Sequence, residues 1–108
     1  MQASPALERF LALLQSGKDS ALLRYSLGNE FLKANDAASA AAHLERAVEL
    51  DPAYSAAWKL LGKAKQASGD LDGARMAWQR GLDAAAAKGD KQAEKEMAVF
   101  LKRLARAR

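Results

Sequence analysis

An all-α chain of stacked helical hairpins is what the sequence predicts, and three observations predict it. A pattern recurs at an interval of thirty-four residues: Leu27-Gly28 returns as Leu61-Gly62, Asp36 as Asp70, Ala40 as Ala74 and Arg46 as Arg80. A period of this length marks helical hairpins that stack on one another. Apolar residues return at helical spacing throughout, and no stretch shows the period-two alternation of a strand. Half of the residues are apolar, yet only 6% are aromatic and much of the apolar count is alanine. Alanine is the strongest helix former and lets helices pack closely.

Six helices follow in order. The first starts near Pro5, with Ser4 as N-cap and proline at the first helical position, where its missing N–H costs nothing. Its Leu7, Phe10, Leu11 and Leu14 form one stripe, and Gly17 ends it. The second begins after Asp19 or Ser20 and buries Leu23, Leu27 and Phe31. Asn35-Asp36 turns the chain, and Asp36 caps a third helix carrying Ala40, Leu44, Ala47 and Val48. Asp51-Pro52 breaks that helix, because proline removes a donor and restricts its predecessor. The fourth helix holds Ala57, Trp58, Leu61 and Ala64. Gly69-Asp70 turns into a fifth with Leu71, Ala74, Trp78 and Leu82. Gly89-Asp90 leads to a sixth with Met97, Phe100, Leu101 and Leu104 on one face.

Composition narrows the function classes. At 108 residues the chain has room for one domain with a modest core. With no cysteine there is no disulfide, thiolate nucleophile or cysteine-held metal. Met1-Gln2-Ala3-Ser4-Pro5 shows no basic segment ahead of an apolar run, so no signal peptide is expected there. The apolar stretches are too short to cross a bilayer, and a cytoplasmic location is the expectation. Residues 1–87 hold 10 basic and 10 acidic side chains, so the net charge of +4 resides wholly in residues 88–108, with 7 basic against 3 acidic. Cations at a helix C-terminus complement its dipole and aid solubility. A nucleic-acid contact is the less favoured alternative, since no aromatic interleaving accompanies the charge.

The residues that recur also resemble a known pattern, the W-x₂-L-G-x₂-Y…A-x₃-F…P of the tetratricopeptide repeat family, in its small two-repeat bacterial type. The first copy matches through Leu27-Gly28, Phe31, Ala40-x₃-Leu44 and Pro52, the second through Trp58-x₂-Leu61-Gly62 and Ala74-x₃-Trp78. Gly28 and Gly62 would let the paired helix approach the backbone, and Leu44 and Trp78 would fill the space beyond. Three places depart from the pattern. Arg24 stands for tryptophan, Lys65 for the second aromatic and Ala86 for the closing proline, so the fifth helix should run on to Lys88. The resemblance implies a short right-handed solenoid of about six helices. Residues 5–16 would form an N-terminal half-repeat helix, 21–54 the first repeat, 55–88 the second and 89–108 a capping helix. Flanking helices are needed because two hairpins alone leave apolar faces bare.

No catalytic constellation is legible. His43 is the single histidine and has no acid, serine or cysteine partner in an evident motif. Asp70 and Asp72 sit in a first helical turn, where acids cap and complement the dipole. The glycines lie at turns and helix contacts, and Trp58 and Trp78 read as core. The expectation is a non-enzyme without catalytic residues, cofactor, metal or small-molecule substrate. The resemblance implies instead a concave groove lined by the first helix of each hairpin, which holds a protein or peptide segment. Carried over by spacing, its residues are Tyr25, Asn29 and Lys33, with Leu22 and Leu32, from the first repeat. Lys59, Lys63 and Gln66, with Ala56 and Ala67, come from the second. Lys59, Lys63 and Lys65 favour an acidic segment, although solvated lysines explain the pattern equally. A structural or weakly self-associating subunit is the alternative function, and a basic C-terminal helix on nucleic acid the second.

Overall fold

The computed structural model describes residues 4–107. Met1–Ala3 and Arg108, which bear on the readings of the N-terminus and of the C-terminal charge, lie outside the described residues. Six helices run in order: α1 (Pro5–Gln15), α2 (Ala21–Lys33), α3 (Ala37–Leu50), α4 (Ser55–Ala67), α5 (Leu71–Ala87) and α6 (Lys91–Arg106). There is no strand among the described residues.

The local signals that start and stop each helix are visible as hydrogen bonds. Ser4, Ser20, Asp36, Asp70 and Asp90 each accept from the backbone N–H three residues on, at 2.8–3.1 Å. Each such bond satisfies a donor that the helix itself leaves orphaned. α4 alone starts without a side-chain cap, behind Tyr54. At the other ends the chain enters the left-handed region, at Gly17, Asn35, Gly69 and Gly89. α3 stops at Asp51, ahead of Pro52, and α5 has no such proline and runs to Ala87.

Consecutive helices pack as neighbours, and the first helices of the hairpins touch one another: α2 meets α4, and α4 meets α6. α1 rests on α2 alone. The central core joins Ala40, Leu44, Ala47, Val48, Ala57, Trp58, Leu61, Ala64 and Ala77. Flanking clusters form around Leu7, Leu23 and Leu27 at one end and around Trp78, Met97 and Leu104 at the other. Gly28 and Gly62 show why the pattern needs glycine. A methyl group at Gly28 would collide with the Leu44 side chain, and one at Gly62 with the Trp78 indole. Trp58 is 9% exposed, and its indole N–H donates to the Pro52 carbonyl at 2.8 Å.

Arg24, in the place of a tryptophan, builds a polar cluster instead. Its guanidinium donates twice to Asp19, at 2.8 and 3.1 Å, and lies 3.0 Å from His43 Nδ1. The imidazole stacks on Phe31 with centroids 5.3 Å apart and planes 4° from parallel. Burial, and then the nearby Arg24 charge, hold the His43 pKa below its usual 6.5, against a smaller opposing pull from Asp19. Asp19 itself is held below the usual carboxylate range, chiefly by its hydrogen bond from Arg24.

Two outcomes are expected from this packing. Trp58→Ala should destabilise the fold by roughly 3–5 kcal/mol, the range for large aromatic truncations in cores, and also strand the Pro52 carbonyl. Urea melts read that loss directly, and a change below about 1 kcal/mol would place Trp58 outside the core. His43 gives a pH dependence with a fixed sign. Its folded pKa is depressed, so its contribution is complete above pH 6.5 and is lost as pH falls below that value. His43→Gln, which keeps an acceptor for Arg24 but does not titrate, should therefore flatten the fall in urea midpoint between neutral and mildly acidic pH.

Candidate partner-binding groove

α2, α4 and α6 lie side by side, and their outward side chains form one continuous face. The residues singled out by spacing fall on the first two of these helices. Tyr25 leans on Tyr54 at the head of α4, with ring centroids 5.0 Å apart and planes at 31°. Asn29 is half-buried and Gln66 exposed, and neither amide makes a side-chain hydrogen bond among the described residues. Lys33 is exposed and pairs with Glu30 on its own helix at 3.2 Å. Leu22 projects from the same helix and is 65% exposed, the most exposed large apolar residue of those described.

The cations of α4 are tied to α6. Lys59 Nζ lies 3.2 Å from Glu96 Oε1, with both side chains partly covered. Lys63 Nζ stands 5.3 Å from the centroid of the Phe100 ring, a cation–π distance. Val99, 42% exposed, is the apolar residue that α6 leaves open to solvent near them. Glu96, Val99 and Phe100 were not legible from the thirty-four-residue spacing, because the spacing changes at this point. α5 has 17 residues where α3 has 14. The buried pair Ala57 and Leu61 of α4 accordingly returns in α6 as Ala93 and Met97, thirty-six residues on. A buried small–large pair kept at constant separation is the signal that finds them.

An apolar end at Leu22 and Tyr25, two unengaged amides, and cations at Lys33 and Lys63 can hold a chain by contact and hydrogen bond. His43, the remaining titratable candidate, belongs to the Arg24 cluster and is half-buried at the α2–α3 contact. Asp70 is a helix cap, as its spacing suggested. No group of three or more metal-ligating side chains occurs among the described residues. Nor is any described helix long and apolar enough to cross a membrane.

Known proteins share this sequence pattern and fold. The tetratricopeptide-repeat profile matches residues 31–98. A TPR repeat-containing protein of Pseudomonas aeruginosa is 65% identical over 96 residues, which are 89% of this chain and 91% of the relative. The solution structure of a Bordetella parapertussis protein superposes with a TM-score of 0.82 at 48% identity, covering 99% of this chain and 91% of that one. A tetratricopeptide-repeat domain protein of Salinibacter ruber gives 0.73 at 28% identity, over 80% and 87% of the two chains. With the repeated close contacts at Gly28 and Gly62 and a profile spanning more than half its length, the chain belongs to the tetratricopeptide-repeat family.

Proposed function

We propose that this protein is a non-catalytic interaction module whose concave face holds an extended or helical segment of another protein. The fold is one that typically mediates protein–protein interaction. The observation that carries the groove reading is the continuous wall made by α2, α4 and α6. It leaves Leu22, Asn29, Lys63, Gln66 and Val99 unsatisfied or exposed along one line of approach. In this reading residues 21–54 and 55–88 are the two repeats, and residues 5–16 are a half-repeat helix. Residues 89–108 then do more than cap, because α6 supplies the third side of the groove.

The chemistry favours an acidic or carboxylate-bearing segment. Lys63 and Lys33 are the cations best placed to meet it, and Lys59 would exchange Glu96 for the incoming carboxylate. Its partly covered pair with Glu96 contributes little net stability, so the exchange is inexpensive. Affinity resting on a few exposed cations should be micromolar or weaker and should fall with added salt.

The test compares two charge reversals for capture of the partner from the native organism. Lys59→Glu/Lys63→Glu should abolish capture, while the control Lys102→Glu/Arg103→Glu on the far end of α6 should leave it intact. The opposite result would remove the groove assignment and transfer binding to the basic helix.

A further inference from the structure

A second recess lies on the side formed by the second helices of the hairpins, away from the concave face. α3 and α5 do not approach one another within 8 Å between Cα atoms, so a furrow runs between them with α4 as its floor. It is a shallow, open recess of about 530 Å³. Val48, Trp58, Leu61 and Ala77 make a buried apolar base, with the Arg80 guanidinium 5.8 Å from the Trp58 ring centre, and Met76 on the wall is 54% exposed.

The furrow exists because of one substitution in the repeat pattern. At the matching place in the first hairpin, Phe31 packs into the cluster around α1 and stacks on His43. In the second hairpin that place holds Lys65. Its ammonium reaches across to Glu45 at 2.9 Å and to Asp70 at 3.8 Å, so it lines the recess without filling it. The rim carries four acids (Glu45, Glu49, Asp70 and Asp72) against Lys65 and Arg80. Glu49 pairs with Arg46 and Asp72 with Arg75, each on its own helix at 3.3 Å and with all four side chains about half exposed or more. Such pairs exchange readily.

The complement of this furrow is present on the chain itself. Lys95, Val99, Lys102 and Arg106 recur at i, i+4, i+7 and i+11, a single stripe of α6, and all four are exposed. The three cations have no acidic partner among the described residues, and no acid follows Glu96 in the sequence. Residues 1–87 are neutral overall while residues 88–108 carry the whole +4. Contact between two basic ends is thus disfavoured electrostatically, and contact of a basic end with the neutral body carries no such penalty. We propose that the α3–α5 furrow of one copy receives the basic α6 stripe of a second copy, with Val99 over Met76 and Trp58 and the cations facing Glu49 and Asp72.

The contact joins two different surfaces, so it is heterologous and propagates head to tail rather than closing as a two-fold dimer. It uses the familiar seating of an amphipathic helix in an apolar groove. It shares Val99 with the concave-face reading but not its cations, since neither Lys59 nor Lys63 takes part, and its test leaves both lysines unchanged.

Sedimentation equilibrium of the full chain tests it. The mass average should rise with protein concentration at low ionic strength, and the association should weaken about tenfold or more at high salt, where exposed charges are screened. Glu49→Lys/Asp72→Lys and Lys102→Glu/Arg106→Glu should each be monomeric alone. Mixed together they should associate again, because each supplies the surface the other has lost. Lys65→Phe, which restores an aromatic to the furrow, should be monomeric with an intact helical spectrum. A wild-type chain that stays monomeric at every concentration in low salt would overturn the proposal. Association that survives either reversal, or a mixture of the two that fails to associate, would overturn it equally.

Discussion

The contact between the Trp78 indole and the backbone of α4 at Gly62 is the constraint on which the rest of the molecule depends. The ring lies where any side chain on residue 62 would have to be, and its N–H donates to the Lys59 carbonyl at 3.0 Å. Trp78 is 1% exposed, so this bond is made in a region where an unmet donor would be expensive. The same ring meets Phe100 at 5.1 Å and thereby sets the position of α6. One side chain therefore fixes how α5 crosses α4, where α6 lies, and where the backbone of Lys59 sits. The first hairpin repeats the device with Leu44 against Gly28, without the hydrogen bond.

From this contact the two faces follow. First helices held close to second helices through glycine leave α2, α4 and α6 adjacent on one side. On the other side α3 and α5 stay apart, because α4 alone fills the space between them. Where the repeat supplies a large side chain to plug that space the surface closes, as at Phe31. Where it supplies lysine the surface remains open. The open side carries acids on its rim, and the basic stripe lies on α6, so the molecule is electrically asymmetric although its first 87 residues are neutral.

Much of this was legible in the residues. The turns at Gly17, Asn35, Gly69 and Gly89, the acidic and serine caps, and the roles of Gly28 and Gly62 follow from local chemistry that a sequence states outright. So does the extension of α5 past Ala84, since nothing at residue 86 stops it. The contacts of Lys59 and Lys63 were not legible, because they depend on α6, whose register shifts by two residues after the longer α5. Nor was the destination of Arg24. A periodic pattern says which slot it occupies, but Asp19 and His43 reach that slot only after the chain has turned twice.

The departures from the repeat pattern show what the slots require. Trp58 and Arg24 occupy equivalent places, and both anchor their helix to the segment before it. The indole N–H donates to the carbonyl of Pro52, and the guanidinium donates to the carboxylate of Asp19. What the slot demands is a donor that reaches back to the preceding linker, together with enough bulk to cover the core. Arginine meets the first demand and recruits the stacked His43 and Phe31 to meet the second. Lys65 differs from both, since its ammonium is satisfied at the rim by Glu45 and Asp70 and its side chain leaves a recess beside the apolar base. One departure is therefore repaired by its neighbours and closes the surface. The other keeps its charge satisfied while leaving Trp58 and Met76 beside a recess, and such a surface has a physical reason to seek a second chain.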